Sequence, residues 1–363
     1  MTKDNIEFPD ASKIKEILSG VHYSDAKTNI VEDGLVKDIK QDGDKTIIVV
    51  EAAGERAEML ALEAHIKTAL SKANVSVEKI KVQFNQIEGA PPISPQVGVR
   101  RLDKIKHIIA VGSGKGGVGK STATMNIAAT LVKMGYKAGI LDGDIYGPSI
   151  GRMAGYESTV PVKIENEKII PVKKHGIKMI SFSFLIEANR AVVWRGPMLG
   201  KAIEQFLFDI EWGDLDYLLI DLPPGTGDVQ LSLVQLIDLD GVVIITTPQG
   251  VALQDARRAI DMFDQVKVKI LGIVENMSEF ICPHCGKGTH IFSSEGGQNI
   301  AKGLEIDFLG EIPLSKTVMD SGEKGFPITA VDAAHGEPGS DTLKVLKAYE
   351  NIVKQIIKKV DTK

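Results

Sequence analysis

Gly114-Lys115-Gly116-Gly117-Val118-Gly119-Lys120-Ser121 is the stretch on which the fold of this chain turns. The spacing G-x-x-x-x-G-K-S follows an apolar, β-branched run at 106–113 and opens a segment with helical patterning. Strand, glycine loop, helix is the context that a phosphate-binding loop requires. The glycines let backbone N–H groups turn inward around phosphates, and the helix N-terminus adds partial positive charge. In that arrangement Lys120 binds the β/γ-phosphates of ATP and Ser121 ligates Mg2+. Gly114, Gly116, Gly117, Val118, Gly119 and Thr122 complete the expected cradle.

Outward from the loop, short apolar runs at 137–141, 217–220, 242–246 and 270–274 alternate with helical patterns at 229–237, 252–266 and 297–303. Continuous apolar strands of this kind suit a parallel sheet covered on both faces, so the expected fold is α/β, doubly wound and mostly parallel. A Pro- and Gly-rich stretch without periodicity, 89–101, reads as linker. Ahead of it lies a small α+β pattern, with helices at 11–18 and 55–72 and strands at 36–39, 46–50 and 78–84. The expected organisation is a small domain at 1–88, a linker at 89–104 and the ATPase domain at 105–363.

Two acidic segments complete the phosphate site. Leu141-Asp142-Gly143-Asp144 ends the second strand, where a parallel sheet delivers groups to its ligand. Asp144 is the candidate for orienting the attacking water, and Asp142 for the outer magnesium shell. Asp221 follows four apolar residues and leads into Leu-Pro-Pro-Gly-Thr-Gly-Asp228, a magnesium-linked carboxylate running into a switch loop whose Gly225 and Gly227 give it mobility.

Composition bounds the rest. The formal net charge of -5, with no strongly basic tract, gives no electrostatic support to a nucleic-acid role. Residues 1–10 lack the basic start and apolar stretch of a secretory leader, and no run approaches the roughly 18–20 apolar residues of a membrane span. A cytoplasmic protein is expected, with neither membrane nor nucleic acid as partner.

Lys115, directly after the first glycine of the loop, narrows the class. The form Lys-Gly-Gly-Val-Gly-Lys-Ser-Thr resembles the deviant P-loop family of the Min and Par positioning ATPases, nitrogenase iron protein and arsenite-pump ATPases. That resemblance implies that Lys115 reaches across a homodimer interface to the partner's nucleotide, stabilising transition-state charge much as an arginine finger does. It also implies that Asn276, after the 270–274 strand, contacts adenine.

The chain has only two cysteines, Cys282 and Cys285, in Cys-Pro-His-Cys-Gly. Four readings compete: a zinc site with His284 or His290, a redox pair, two inert thiols, or half of a ligand set. On the last, the dimer implied by Lys115 brings four thiolates to a two-fold axis, enough for one bridging 4Fe–4S cluster. That is the best fit.

Six segments occur in order: the loop at 114–122, Leu-Asp-Gly-Asp-Ile-Tyr-Gly-Pro-Ser at 141–149, Trp-Arg-Gly-Pro-Met at 194–198, Ile-Asp-Leu-Pro-Pro-Gly-Thr-Gly-Asp at 220–228, Val-Glu-Asn-Met-Ser at 274–278 and Cys-Pro-His-Cys-Gly at 282–286. Together they resemble the Mrp/ApbC family of iron–sulfur cluster carrier ATPases over about residues 105–330. The resemblance implies a slow ATP hydrolase that forms a homodimer. It would hold a labile 4Fe–4S cluster on Cys282 and Cys285, exchange it with scaffold proteins and pass it to apo iron–sulfur proteins. Arg195 and Pro197 receive no role. The N-terminal segment is similar to a small iron–sulfur assembly domain, but Glu51-Ala-Ala-Gly54-Glu-Arg stands where that domain commonly carries a cysteine, so docking or regulation is the expectation.

The competing class is a Min/Par-like positioning or regulatory ATPase with a structural zinc or redox cysteine pair. Its support is a basic, apolar C-terminal helix at 343–360, with Val345, Tyr349, Ile352, Ile356 and Val360 at helical spacing. Packing of that stripe on the sheet is the favoured alternative.

Overall fold

The computed structural model describes residues 11–21, 29–42, 45–51, 56–73, 75, 77, 80–85, 101–145, 147–156, 160, 162–165, 168–185, 206–282, 285–330 and 339–361. Arg195, Pro197, the turn at 52–55, His284 and most of the expected linker lie outside them. The chain divides into two compact units, Met1–Val99 and Arg100–Lys363. Arg101 pairs with Asp238 at 3.0 Å and Asp240 at 3.4 Å, and Leu102 packs on the second core. The end of the expected linker, 101–104, therefore belongs with the second unit.

The first unit contains α1 (Ala11–Leu18), β1 (Val36–Asp42), β2 (Lys45–Glu51), α2 (Arg56–Lys72) and β3 (Ile80–Asn85). β2 is central, antiparallel to β1 and parallel to β3. Ile14, Leu18, Ile48, Val50, Leu62, Ile66 and Leu70 share one apolar core.

The second unit runs β4 (Ile105–Gly112), α3 (Lys120–Lys133), β5 (Ala138–Asp142), α4 (Ile150–Met153), β6 (Lys163–Glu165), β7 (Lys168–Ile170), β8 (Val172–Lys174), β9 (Ile177–Ser181), α5 (Phe182–Leu185), β10 (Leu215–Asp221), α6 (Asp228–Leu236), β11 (Gly241–Thr246), α7 (Gly250–Gln265), β12 (Ile270–Ile281), β13 (Gly288–Thr289), α8 (Gly296–Gly303), β14 (Phe308–Leu314), α9 (Lys316–Glu323) and α10 (Ser340–Asp361). The sheet orders β13-β12-β11-β4-β10-β5-β9-β8, with β14 also on β12. Among the described residues of this sheet, only the pairings of β13 with β12 and β8 with β9 are antiparallel. β5 and β11 are buried at every position. Alternate strand side chains point to opposite faces, so both faces of the sheet are covered, as the apolar runs required.

One difference from the sequence reading matters, and one of its alternatives is decided. β12 does not stop at Val274 but continues to Ile281, because Phe280 and Ile281 pair with Thr289 and Gly288 while Phe280 also pairs with Leu314. The cysteine pair thus sits at the tip of a β-hairpin rather than in an open loop. In α10, Val345, Tyr349, Ile352, Ile356 and Val360 are each 2% exposed or less and belong to the main core. The stripe that could have served a membrane surface is spent on the sheet.

Candidate functional site

The phosphate loop joins β4 to α3 at the carboxyl end of the central strand. Gly117 and Gly119 adopt φ of +80° and +82°, a left-handed conformation that L side chains disfavour. Gly114 is needed for a different reason: a Cβ there would lie 2.1 Å from the Asp255 carbonyl of α7, backbone that cannot step aside. The loop opens on a cavity of about 230 Å3. Lys115, Gly116, Gly117, Gly119, Lys120, Ser121, Thr122 and Asp144 line it, joined by Ser113, Gly147, Ser149, Met153 and Pro224.

Behind the cavity lies a buried charge cluster. Asp221 ends β10 in register with Asp142 on β5 and Val111 on β4, fully buried. Its Oδ1 is 2.8 Å from Lys120 Nζ and accepts from Thr124 Oγ1 at 2.8 Å. Its Oδ2 accepts from Ser121 Oγ at 2.5 Å. Asp142 is also fully buried, accepting from Ser181 Oγ at 2.8 Å and the Ile150 N–H at 3.2 Å. Burial, and secondarily the charge of Asp221, pushes the Asp142 carboxyl up to about 7. Asp142 is not among the residues that line the cavity; it holds the start of α4 and the end of β9. Asp144 does line it, with Oδ1 accepting from the Gly147 N–H at 3.0 Å.

Lys115 is half-exposed at the mouth of the cavity and has no ion-pair partner among the described residues. The switch segment lies alongside, with Gly225 N–H donating to the Ser113 carbonyl at 2.9 Å. Asn276 lies against the phosphate loop itself. Its Nδ2 donates to the Val118 carbonyl at 2.8 Å, and it is 8% exposed beneath the loop. That hydrogen bond braces the phosphate loop.

Cys282 is half-buried and Cys285 exposed, and neither is in a disulfide. The hairpin is closed by the Cys282 N–H to the Lys287 carbonyl at 3.0 Å and by the Gly286 N–H to the Cys282 carbonyl at 2.9 Å. β12 runs parallel to β11, which runs parallel to β4, so the cysteines and the phosphate loop leave the sheet at the same edge. Among the described residues, no group of three or more His, Cys, Asp or Glu side chains is placed to hold a metal ion.

Sequence reasoning missed Thr124, Ser181 and Glu275. Thr124 could have been found, since it lies one helical turn after Lys120 and must share its face. Ser181 and Glu275 gave no local signal. Glu275 is buried, its Oε2 accepting from the Gly297 N–H, and burial raises its carboxyl above the usual range.

A phosphate loop at the end of a central parallel strand, a buried lysine–aspartate pair behind it and an acidic second strand define a P-loop NTPase. Residues 104–357 match the family described as ParA, NUBPL iron-transfer P-loop NTPase, and the chain belongs to that family. It is 40% identical to the iron-sulfur cluster carrier protein of Synechocystis, over 95% of this chain and 96% of that one. It is 45% identical to the iron-sulfur cluster transfer protein NUBPL of Dictyostelium discoideum, over 74% of this chain and 80% of that one. Among solved structures it resembles a nucleotide-binding protein in complex with ADP from Archaeoglobus fulgidus, with 41% identity and a TM-score of 0.56, over 66% of this chain and 92% of that one. The cell-division ATPase MinD of Pyrococcus furiosus, at 21% identity and a TM-score of 0.51, shares the fold.

Proposed function

We propose that this chain is an ATP-dependent iron–sulfur cluster carrier, in which two copies hold one 4Fe–4S cluster on their Cys282 and Cys285 thiolates and deliver it to apo-proteins. The observation that carries this reading is the cysteine pair at a hairpin tip, on the sheet edge that also bears the phosphate loop. A 4Fe–4S cluster takes four thiolates and one chain supplies two, so a second copy completes the set. Relatives named as cluster carriers and a cluster transfer protein support the same assignment. Scaffold proteins are the source of the cargo. A labile cluster on exposed thiolates suits a reducing compartment, in keeping with a cytoplasmic protein.

The geometry of the cavity supports the nucleotide half of the reading. Lys120, now paired with Asp221, moves to the phosphates when ATP enters the cavity. An oxygen-only set of the Ser121 hydroxyl with Asp221 behind it suits Mg2+. Held there, Mg2+ would neutralise phosphate charge. Asp144, on the cavity wall, orients the attacking water. Lys115 acts on the nucleotide of the partner chain, so hydrolysis is slow wherever the chains are apart.

The test is delivery. Protein loaded with cluster and supplied with ATP should restore activity to an apo 4Fe–4S enzyme. Asp144→Asn should load cluster and bind ATP, yet deliver poorly. Equal delivery by that variant would disconnect hydrolysis from transfer.

A further inference from the structure

The strand that ends at the cysteine pair also grips the phosphate loop, and three successive residues of β12 divide the work. Glu275 is buried and accepts from the Gly297 N–H in the first turn of α8, which ties the strand down at that point. Asn276 donates to the Val118 carbonyl and lies so close under the loop that a Cβ on Gly119 would come within 2.2 Å of its Nδ2. Met277 then takes a φ of +59°, a left-handed conformation disfavoured for any residue with a Cβ. The pairing of β12 with β14 loses register between Asn276 and Phe280.

Beyond that irregularity the hairpin is one hydrogen-bonded piece. Phe280 and Ile281 pair with Thr289 and Gly288, the Cys282 N–H donates to the Lys287 carbonyl, and His290 Nδ1 lies 3.0 Å from the Ser278 carbonyl. The piece carrying both thiols therefore breaks register with β14 at the residue next to the one holding the loop, and meets β14 again through Ser278 Oγ on the Ile312 carbonyl and the pairing of Phe280 with Leu314. A backbone held in a sparsely populated conformation persists only where its surroundings over-determine it. Here those surroundings are the anchor at Glu275 on one side and the loop contact at Asn276 on the other.

We infer that Asn276 is a positioning residue that transmits the state of the phosphate loop to Cys282 through the left-handed turn at Met277. Phosphate binding reorients peptide groups of the loop, and the Val118 peptide is the one Asn276 holds. A shift there tilts the hairpin and changes the cover over half-buried Cys282, while Cys285 stays exposed. The inference rests on the reading of these thiols as the cargo site.

The experiment is alkylation of the full-length, cluster-free protein with iodoacetamide, each thiol quantified separately by peptide mass spectrometry. Labelling is compared without nucleotide and with ADP or a non-hydrolysable ATP analogue, at concentrations shown to saturate each variant. In the wild type the Cys282-to-Cys285 labelling ratio should change on the order of fivefold between the nucleotide-free and saturated states, within the range of coupled sites. In Asn276→Ala the ratio should stay at its nucleotide-free value under saturation. Met277→Gly, which slackens the turn, should lose the response too while still binding nucleotide. A wild-type ratio indifferent to nucleotide, or a full response in either variant, would overturn the inference. Because the readout uses no cluster, its failure is separable from a failure of cluster binding.

Discussion

Lys120 Nζ lies 2.8 Å from Asp221 Oδ1, with both side chains buried, and Asp142 stands beside Asp221 in register on the neighbouring strand. One buried cation thus faces two buried carboxylates. Such a cluster is not arranged for stability, because desolvating charges is costly and a single lysine cannot compensate both acids. On the proposed function it suits release, the lysine exchanging the carboxylates for the phosphates of a nucleotide in the cavity it lines.

The cluster makes stability depend on pH through Asp142. Its carboxyl is raised from 3.8 to about 7 by burial and by Asp221, so the folded chain keeps a proton that the unfolded chain has lost. Stability from this group therefore declines as pH climbs from about 4 to 7, and the penalty is complete above it. Asp142→Asn should remove that dependence. Its stability relative to wild type, from denaturant melts, should improve by on the order of 2 kcal/mol between pH 5 and pH 8. A pH-independent difference would show that Asp142 is ionised throughout.

Asp221 also organises the two hydroxyls, Ser121 and Thr124, that share its oxygens. Asp221→Asn should lower Mg2+-dependent ATP hydrolysis by about 10–100-fold, the usual effect of losing a carboxylate that orients a metal ligand. Nucleotide binding in EDTA should fall much less. Equal losses in both assays would assign Asp221 to folding rather than to the metal.

Lys115 lines the cavity and has no ion-pair partner among the described residues. Specific hydrolysis by the wild type should rise with protein concentration as chains pair. Lys115→Ala should hold a low rate at every concentration, down by about 100-fold or more at the plateau, as loss of a charge supplied in trans predicts. Concentration-independent turnover in the wild type would place the lysine in its own chain's site.

The loop glycines should differ in their tolerance. Gly117→Ala meets open space and carries only the left-handed penalty, about 1–2 kcal/mol. Gly114→Ala drives a methyl into the Asp255 backbone and should cost more, about 3 kcal/mol, with α7 displaced from the loop. Thermal melts of the two variants rank them directly; the reverse order would mean that α7 does not pack on Gly114.

Much of this was legible in the sequence wherever local chemistry dictates position. The loop at 114–121 could only sit between strand and helix, and Asp221 could only end a buried strand. Cys282 and Cys285 were visible as a pair, but their hairpin was not, because Asn276 and Ser278 interrupt the apolar run and hide the continuation of β12 to Ile281. The anchor at Glu275 was hidden for a related reason. A buried glutamate is decided by a helix N-terminus twenty-two residues away, at Gly297, which no local pattern records. Asn276 bracing Val118, a contact 158 residues apart in sequence, is of the same kind.

The most direct test of cluster carriage is anaerobic reconstitution with iron and sulfide, read by iron content, visible absorbance and oligomeric state together. Two chains sharing Cys282 and Cys285 predict about four irons per pair of chains, with a chromophore that Cys282→Ala and Cys285→Ala each abolish. Retention of the cluster in either variant, or bound zinc with no chromophore, would contradict it.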